Sequence, residues 1–311
     1  MPAVVITNLR RSYNGREAVC GISLEVNEGE IFGLLGPNGA GKTTTLSVVS
    51  TRIRPSSGDV WVFDKHVVRD VHDARRLLNV APQEEALYPT LTAEENLAFF
   101  ARLYGVPRGD RSQRIAEALE MVALTGRKDD RVSTYSGGMR RRLNLGCALV
   151  SAPRLVLLDE PTVGVDPQSR AHIFDAVRTL RGRGITILYT THYLEEAENL
   201  CDRIAIMDEG RVVALGTLPE LIARSHASEV IELRLAQPPA DLRAVEALDG
   251  VQRVELAGTE LRVFTSRAQQ VLARLCGNAA LLDHQSIVQT RVTPITLENV
   301  FIELTGKELR D

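Results

Sequence analysis

The chain has 311 residues, of which 44% are apolar and 25% charged, with a formal net charge of −3. That balance belongs to a globular protein of about two domains, and the negative charge argues against an extended nucleic-acid surface. No apolar run approaches the roughly 18 residues that span a membrane, so work at a membrane requires another chain to supply the spans. Residues 4–6 are already apolar, with no basic-then-apolar export signal before them. Cys20, Cys147, Cys201 and Cys276 are scattered without a C-x-x-C pair. They read as small apolar core residues of a reducing compartment, not as ligands or bridges.

Taken in chain order, residues 4–9, 18–26 and 30–35 read as short strands separated by the turn signals Asn14-Gly15 and Asn27-Glu28-Gly29. Tyr13 precedes the first turn; an aromatic there either packs or stacks on an adenine ring. The third strand runs into Gly36-Pro37-Asn38-Gly39-Ala40-Gly41-Lys42-Thr43-Thr44, which fills every position of the phosphate-loop pattern G-x-x-x-x-G-K-[ST]. Strand, glycine loop and helix are the context that pattern needs. The glycines let backbone N–H groups converge on a phosphate, and the helix start adds its unpaired N–H groups and positive dipole end. Lys42 supplies a full positive charge for the β- and γ-phosphates, and the Thr43 hydroxyl can ligate Mg²⁺.

A further strand is expected over 59–63, and residues 77–81 lead to Pro82-Gln83. Gln83 is either a solvated loop amide or a group that approaches the metal and an attacking water. Residues 84–150 turn helical. Thr92-Ala93-Glu94-Glu95 is a capping box ahead of Leu97, Phe100 and Leu103, and 114–122 is a second helix. The block ends at Ser136-Gly137-Gly138, where Ser136 can cap a helix whose two glycines leave N–H groups bare. This is a second phosphate-reading site. One polypeptide with one lysine-bearing loop has little use for two, unless another copy supplies the complement.

Residues 155–158 form an apolar run of the kind found in central parallel strands, ending in Asp159-Glu160. Asp159 is placed to hold Mg²⁺ and Glu160 to polarise a water against the γ-phosphate. Asp166-Pro167 has the form of an N-cap followed by proline at the first helical position, with Gly182 and Gly184 closing that helix. Residues 185–190 read as a strand ending at Thr191-His192. His192 is either a core or capping histidine or a contact to the γ-phosphate at the sheet edge where ligands sit. Residues 203–215 have the pattern of a hairpin.

With these residues assembled, residues 1 to about 220 resemble the ATP-binding subunit of an ABC transporter. The resemblance identifies 36–44 as the phosphate loop, Gln83 as the Q-loop and Ser136-Gly137-Gly138 as the signature motif. It further makes Glu160 the catalytic carboxylate, Asp166 part of the D-loop, His192 the switch histidine and Tyr13 the adenine-stacking residue. Tyr135 and Met139 replace the ends of the family's usual Leu-Ser-Gly-Gly-Gln. The resemblance implies a P-loop α/β core in which a mixed sheet joins an antiparallel β subdomain and a helical subdomain. It also implies a homodimer that sandwiches two ATP molecules, with Mg²⁺ held near Thr43, Gln83 and Asp159.

Beyond a linker expected over 221–228, a βαββαβ pattern of a small α+β ferredoxin-like domain is expected over 229–311. Residues 231–235 start it, 286–292 form its last strand, and Leu297, Val300, Phe301 and Leu304 line one face of a final helix. This ending, with Tyr135-Ser136-Gly137-Gly138-Met139, is similar to ABC-2 type exporters of the daunorubicin-resistance kind. The domains are thus expected at 1–222 and 229–311, with the helical subdomain at about 84–150. The resemblance implies an ATPase at the cytoplasmic face of the membrane, driving an ABC-2 type permease on a separate chain and exporting drugs or antibiotics. Sodium, lipid or polysaccharide is the neighbouring choice of cargo. A soluble ABC ATPase acting on DNA or ribosomes is disfavoured, because there is neither a long coiled-coil insertion nor a second phosphate loop.

Overall fold

A computed structural model describes residues 2–225, 228–237, 242–277 and 287–306. The chain divides into two compact units, with the boundary between Leu218 and Pro219.

In the first unit, β1 (Pro2–Tyr13) and β2 (Arg16–Asn27) form a long antiparallel hairpin, followed by β3 (Ile31–Leu35) and helix α1 (Lys42–Val49). Strands β4 (Ser57–Val62) and β5 (Lys65–His66) return to the hairpin and give a four-stranded sheet in the order β2-β1-β4-β5. Helix α2 (Val71–Leu77) then leads to β6 (Leu78–Ala81). The sequence pattern does not announce α2: it is seven residues long and buries only Ala74, too little for an amphipathic stripe.

The helical segment contains α3 (Ala93–Leu103), α4 (Arg111–Met121) and α5 (Gly137–Leu149). The capping box at the start of α3 forms reciprocally, with Glu95 N–H donating to Thr92 Oγ1 and Thr92 N–H donating to Glu95 Oε2. Leu97, Phe100, Ile115, Ala118, Leu119, Leu143 and Leu145 share one buried cluster. β7 (Leu155–Asp159), α6 (Pro167–Gly182), β8 (Thr186–Thr191), α7 (Leu194–Leu200), β9 (Arg203–Asp208) and β10 (Arg211–Gly216) complete the unit.

The main sheet runs β10-β9-β3-β8-β7-β6, parallel except for the β9–β10 hairpin. Every residue of β3, β7 and β8 is buried, as required of strands covered on both faces. Each fully buried leucine or valine contributes on the order of 2 kcal/mol. The β9–β10 turn places Glu209 at φ 47° and Gly210 at φ 76°, the pair of left-handed residues that a tight hairpin of this twist demands.

Helix α8 (Leu218–Arg224) starts at the boundary, its residues from Pro219 on belonging to the second unit, and occupies the first half of the expected linker, because Leu218, Leu221 and Ile222 keep a helical spacing and Leu221 is buried. The linker's His226 and Ala227, and Ser286 of the expected last strand, lie outside the described residues. β11 (Glu229–Leu235), α9 (Arg243–Glu246), β12 (Val251–Ala257), β13 (Glu260–Thr265), α10 (Ala268–Gly277) and β14 (Ile287–Thr293) follow. They build an antiparallel sheet in the order β12-β13-β11-β14, and α11 (Leu297–Thr305) ends the described chain. Ile231, Leu233, Leu261, Val263, Val271 and Leu275 form this unit's core.

Candidate active site

The site lies at the carboxyl ends of β3, β7 and β8, where an open parallel sheet exposes its loops. After β3 the chain turns through the glycine loop, and Gly41 caps α1 in a left-handed conformation, φ 99°. Gly36 has no room for a side chain: a Cβ there would sit 2.2 Å from the Met207 carbonyl oxygen. The loop is therefore pressed onto β9, and the first turn of α1 leaves the N–H groups of Lys42, Thr43 and Thr44 without intrahelical acceptors. Those donors and the dipole end form an anion cradle.

Lys42 is 4% exposed, and its ammonium donates to the carbonyls of Gly36 (2.7 Å) and Pro37 (3.1 Å). Its Nζ also lies 3.1 Å from Oε1 of Glu160, whose side chain is 6% exposed. The other Glu160 oxygen is 3.3 Å from His192 Nδ1, which is off the line of a hydrogen bond and has no hydrogen-bond partner among the described residues. Thr43 Oγ1 donates to Asp159 Oδ1 at 3.1 Å, and Thr190 Oγ1 donates to the same oxygen at 2.7 Å. The structure thus gathers Lys42, Thr43, Asp159, Glu160 and His192, drawn from three strand ends.

Glu160 follows β7 with φ 45°, unusual for a residue with a side chain. Two neighbours hold it there. Its N–H donates to Thr190 Oγ1 (3.0 Å) and Thr190 O (3.2 Å), and its carbonyl accepts from Arg141 Nη2 at 3.1 Å. The buried Arg141 guanidinium also donates to the carbonyls of Pro82 and Gln83. Burial pulls its pKa below the ordinary arginine value, while Glu85, Asp159 and Glu160 act in the opposite direction.

Behind the site, Glu196 is 2% exposed and accepts hydrogen bonds from Thr162 Oγ1 (2.5 Å), Tyr189 OH (2.9 Å) and Thr191 Oγ1 (2.8 Å). It clips the loop after Glu160 to the residue before His192. Burial and the neighbouring Glu196 push the Tyr189 hydroxyl pKa well above its ordinary value, so the phenol remains a donor.

Other sequence-predicted residues lie outside this cluster of contacts. Tyr13 is 43% exposed, with the Arg11 guanidinium 4.7 Å from its ring centre. Gln83 is exposed, and it is its backbone carbonyl, not its amide, that is tied in through Arg141. Ser136 caps α5 by accepting from Met139 N–H at 3.2 Å. Gly138 is pressed onto the start of α6: an added Cβ would lie 2.1 Å from Ser169 Oγ and 2.5 Å from Asp166 Oδ2. Asp166 caps α6 by accepting from Ser169 N–H at 2.9 Å, which holds its carboxyl below the usual range.

Arg141, Thr190 and Glu196 were not singled out by the sequence. Arg141 stands in the run Arg140-Arg141-Arg142, which in the sequence reads only as a local basic cluster on a helix. Glu196 carried the one available hint, an acid at helical spacing with the apolar Leu200.

A family model described as ABC transporter matches residues 19–163. The linearmycin resistance ATP-binding protein LnrL of Bacillus subtilis (strain 168) is 43% identical over 307 residues, covering 98% of each chain. The Nod factor export ATP-binding protein I of Paraburkholderia xenovorans (strain LB400) is 40% identical over 309 residues, covering 99% of each. Among solved structures, the ATP-binding subunit of an ABC transporter superposes with a TM-score of 0.66 at 29% identity, over 71% of this chain and 92% of that one. A dimeric ATP-binding cassette in a post-hydrolysis state bound to ADP and Pi gives 0.63 at 25% identity, over 69% and 98%. With a phosphate loop and two strand-end carboxylates gathered at one sheet edge, the chain belongs to the ABC transporter family, as an ATP-binding subunit that hydrolyses ATP.

Proposed function

We propose that this chain is the motor subunit of an ABC-2 type exporter of drugs or antibiotics, working at the cytoplasmic face of the membrane on a permease carried by another chain. The observation that carries the reading is the convergence of Lys42, Glu160 and His192 beside the anion cradle. In this reading the loop 36–44 wraps the phosphates and Tyr13 stacks on the adenine. The 136–138 turn of a second copy closes over the γ-phosphate, with Asp166 at the same interface. Two copies related by a two-fold axis would complete two such sites. That accounts for a chain with one lysine-bearing loop and a second bare helix start.

Thr43 and Asp159 offer a hydroxyl and a carboxylate oxygen 3.1 Å apart, hard donors of the kind Mg²⁺ takes alongside water and phosphate, with Gln83 assigned as a further ligand. Bound there, Mg²⁺ supplies charge neutralisation across the phosphates. Glu160 then orients and deprotonates the attacking water, and Lys42 passes from the Glu160 carboxylate to the β- and γ-phosphates. His192 contributes an N–H to the γ-phosphate through Nδ1, the nitrogen that has no hydrogen-bond partner among the described residues. Gln83, at the hinge of the helical subdomain, transmits closure of the pair to the permease.

The helices are consistent with motion being delivered to a separate membrane subunit: among the described residues none is long and apolar enough to cross a bilayer. The linearmycin resistance relative supports a drug or antibiotic cargo, and the Nod factor export relatives support a second choice of cargo. Gentle extraction from native membranes, followed by identification of co-purifying chains and a flux assay with each cargo class, tests the reading. A polytopic partner and ATP-dependent efflux are expected; co-sedimentation with ribosomes or DNA instead would overturn it.

A further inference from the structure

Helix α5 does two things at once. Its first residues carry the bare N–H groups after Ser136, and one turn further along it carries Arg141, whose side chain is 7% exposed and turned into the protein. A guanidinium offers five N–H donors in one plane. Here those donors span three backbone carbonyls from two other elements: Pro82 and Gln83 after β6, and Glu160 after β7. The Glu160 contact is the telling one. Glu160 adopts a left-handed backbone, φ 45°, that a residue with a side chain holds only when its surroundings fix it. Its N–H is fixed by Thr190 on the rigid core, whereas its carbonyl is fixed at 3.1 Å by a side chain of α5. Any rotation of α5 therefore pulls on the carbonyl side of the Glu160 backbone, whose Cα aims the carboxylate.

We propose that Arg141 is a positioning residue that couples the two ATP sites of the dimer. When the 136–138 turn of one copy closes on the ATP held by its partner, α5 shifts as a rigid rod, and Arg141 sets Glu160 of that same copy against the ATP in its own loop. Each catalytic carboxylate is thus readied by the nucleotide it does not cleave. The inference rests on the head-to-tail dimer reading above. It adds a physical path between the sites that involves neither Lys42 nor His192.

The test uses the full chain with Mg²⁺-ATP and two variants. Arg141→Gln keeps one amide donor group. Arg141→Lys keeps the charge but presents all its donors from one atom, whereas the guanidinium reaches Pro82 and Gln83 from Nη1 and Glu160 from Nη2. Steady-state hydrolysis across ATP concentration is expected to show kcat lowered about tenfold or more for Arg141→Gln and less for Arg141→Lys, as befits the loss of charge-assisted hydrogen bonds that orient a reacting group. The Hill coefficient should fall from about two towards one. ATP-dependent dimerisation is measured in parallel on Glu160→Gln, alone and combined with Arg141→Gln; dimers of similar stability in both are expected. If kcat and the Hill coefficient of both Arg141 variants stay within about twofold of wild type, the proposal is overturned. If the combined variant loses ATP-dependent dimerisation, Arg141 serves assembly and not positioning, and the proposal is likewise overturned. If Glu160→Gln alone fails to dimerise with ATP, the dimer reading itself falls and takes this inference with it.

Discussion

Lys42 Nζ and Glu160 Oε1 stand 3.1 Å apart with both side chains at most 6% exposed. The two residues are 118 positions apart in sequence, 160 minus 42. Each carries a full charge out of water, and each is the main counter-charge available to the other. The cation proposed for the phosphates and the carboxylate proposed for the attacking water are thus paired in the protein itself. On the proposed roles, a triphosphate that takes Lys42 would free Glu160 to act on water, linking nucleotide binding and activation of the base through one ammonium group.

From that pairing, Lys42→Met leaves Glu160 buried against His192 alone. Removing one partner of a buried pair costs about 3 kcal/mol, which urea melts without nucleotide measure directly. Combining Lys42→Met with Glu160→Gln removes the stranded charge and should recover most of that loss. ATP binding should be abolished in either background. Equal melts for the single and the double variant would contradict the pairing.

Gly138 tests how tightly the start of α5 sits on the start of α6. Its added Cβ would meet Ser169 Oγ and Asp166 Oδ2, both well inside contact distance, and both belong to the cap that starts α6. Gly138→Ala should therefore displace the 136–138 turn and lower ATP hydrolysis at least tenfold, while the loop 36–44 still binds nucleotide. Equilibrium binding of a fluorescent ATP analogue beside a phosphate-release assay separates the two effects. Loss of binding in step with loss of hydrolysis would count against it.

Glu196 accepts from three hydroxyl groups in a buried site. Glu196→Gln turns one acceptor oxygen into a donor and so sets a donor against a donor. Stability should drop by about 2 kcal/mol. Because Thr162 and Thr191 flank the strand ends that carry Glu160 and His192, kcat should fall with little change in KM for ATP. Glu196→Ala strands three buried hydroxyls and should be worse in both respects. A Glu196→Gln protein with wild-type melting and turnover would show that the clip carries no weight.

What could be read from the sequence was whatever is written locally. The phosphate loop declares itself because its glycines, lysine and threonine are consecutive, and the Thr92–Glu95 cap because both partners lie within one helical turn. The β9–β10 turn is legible from Asp208-Glu209-Gly210 for the same reason. The central strands show as unbroken apolar runs. What could not be read is the set of partners brought together only by folding. Arg141 looks like its two exposed-type neighbours until α5 is packed against the ends of β6 and β7. Glu196 looks like one of two helix-start acids until Thr162, from the loop after β7, and Tyr189 and Thr191 of the preceding strand close on it. Helix α2 escaped because a seven-residue helix that buries one alanine leaves no periodic mark. The linker expected over 221–228 failed in its first half because the mixed composition there hid the Leu218, Leu221 and Ile222 spacing.

In the proposed dimer one chain holds halves of two different ATP sites, and hydrolysis at Glu160 reopens them. Glu160→Gln with Mg²⁺-ATP, followed by size-exclusion chromatography with light scattering and a phosphate-release assay, tests it most directly. The account predicts a stable dimer retaining two unhydrolysed ATP molecules, formed only with ATP and lost when Ser136→Arg blocks the second half-site. A protein that stays monomeric with ATP, or that releases phosphate at the wild-type rate, would contradict it.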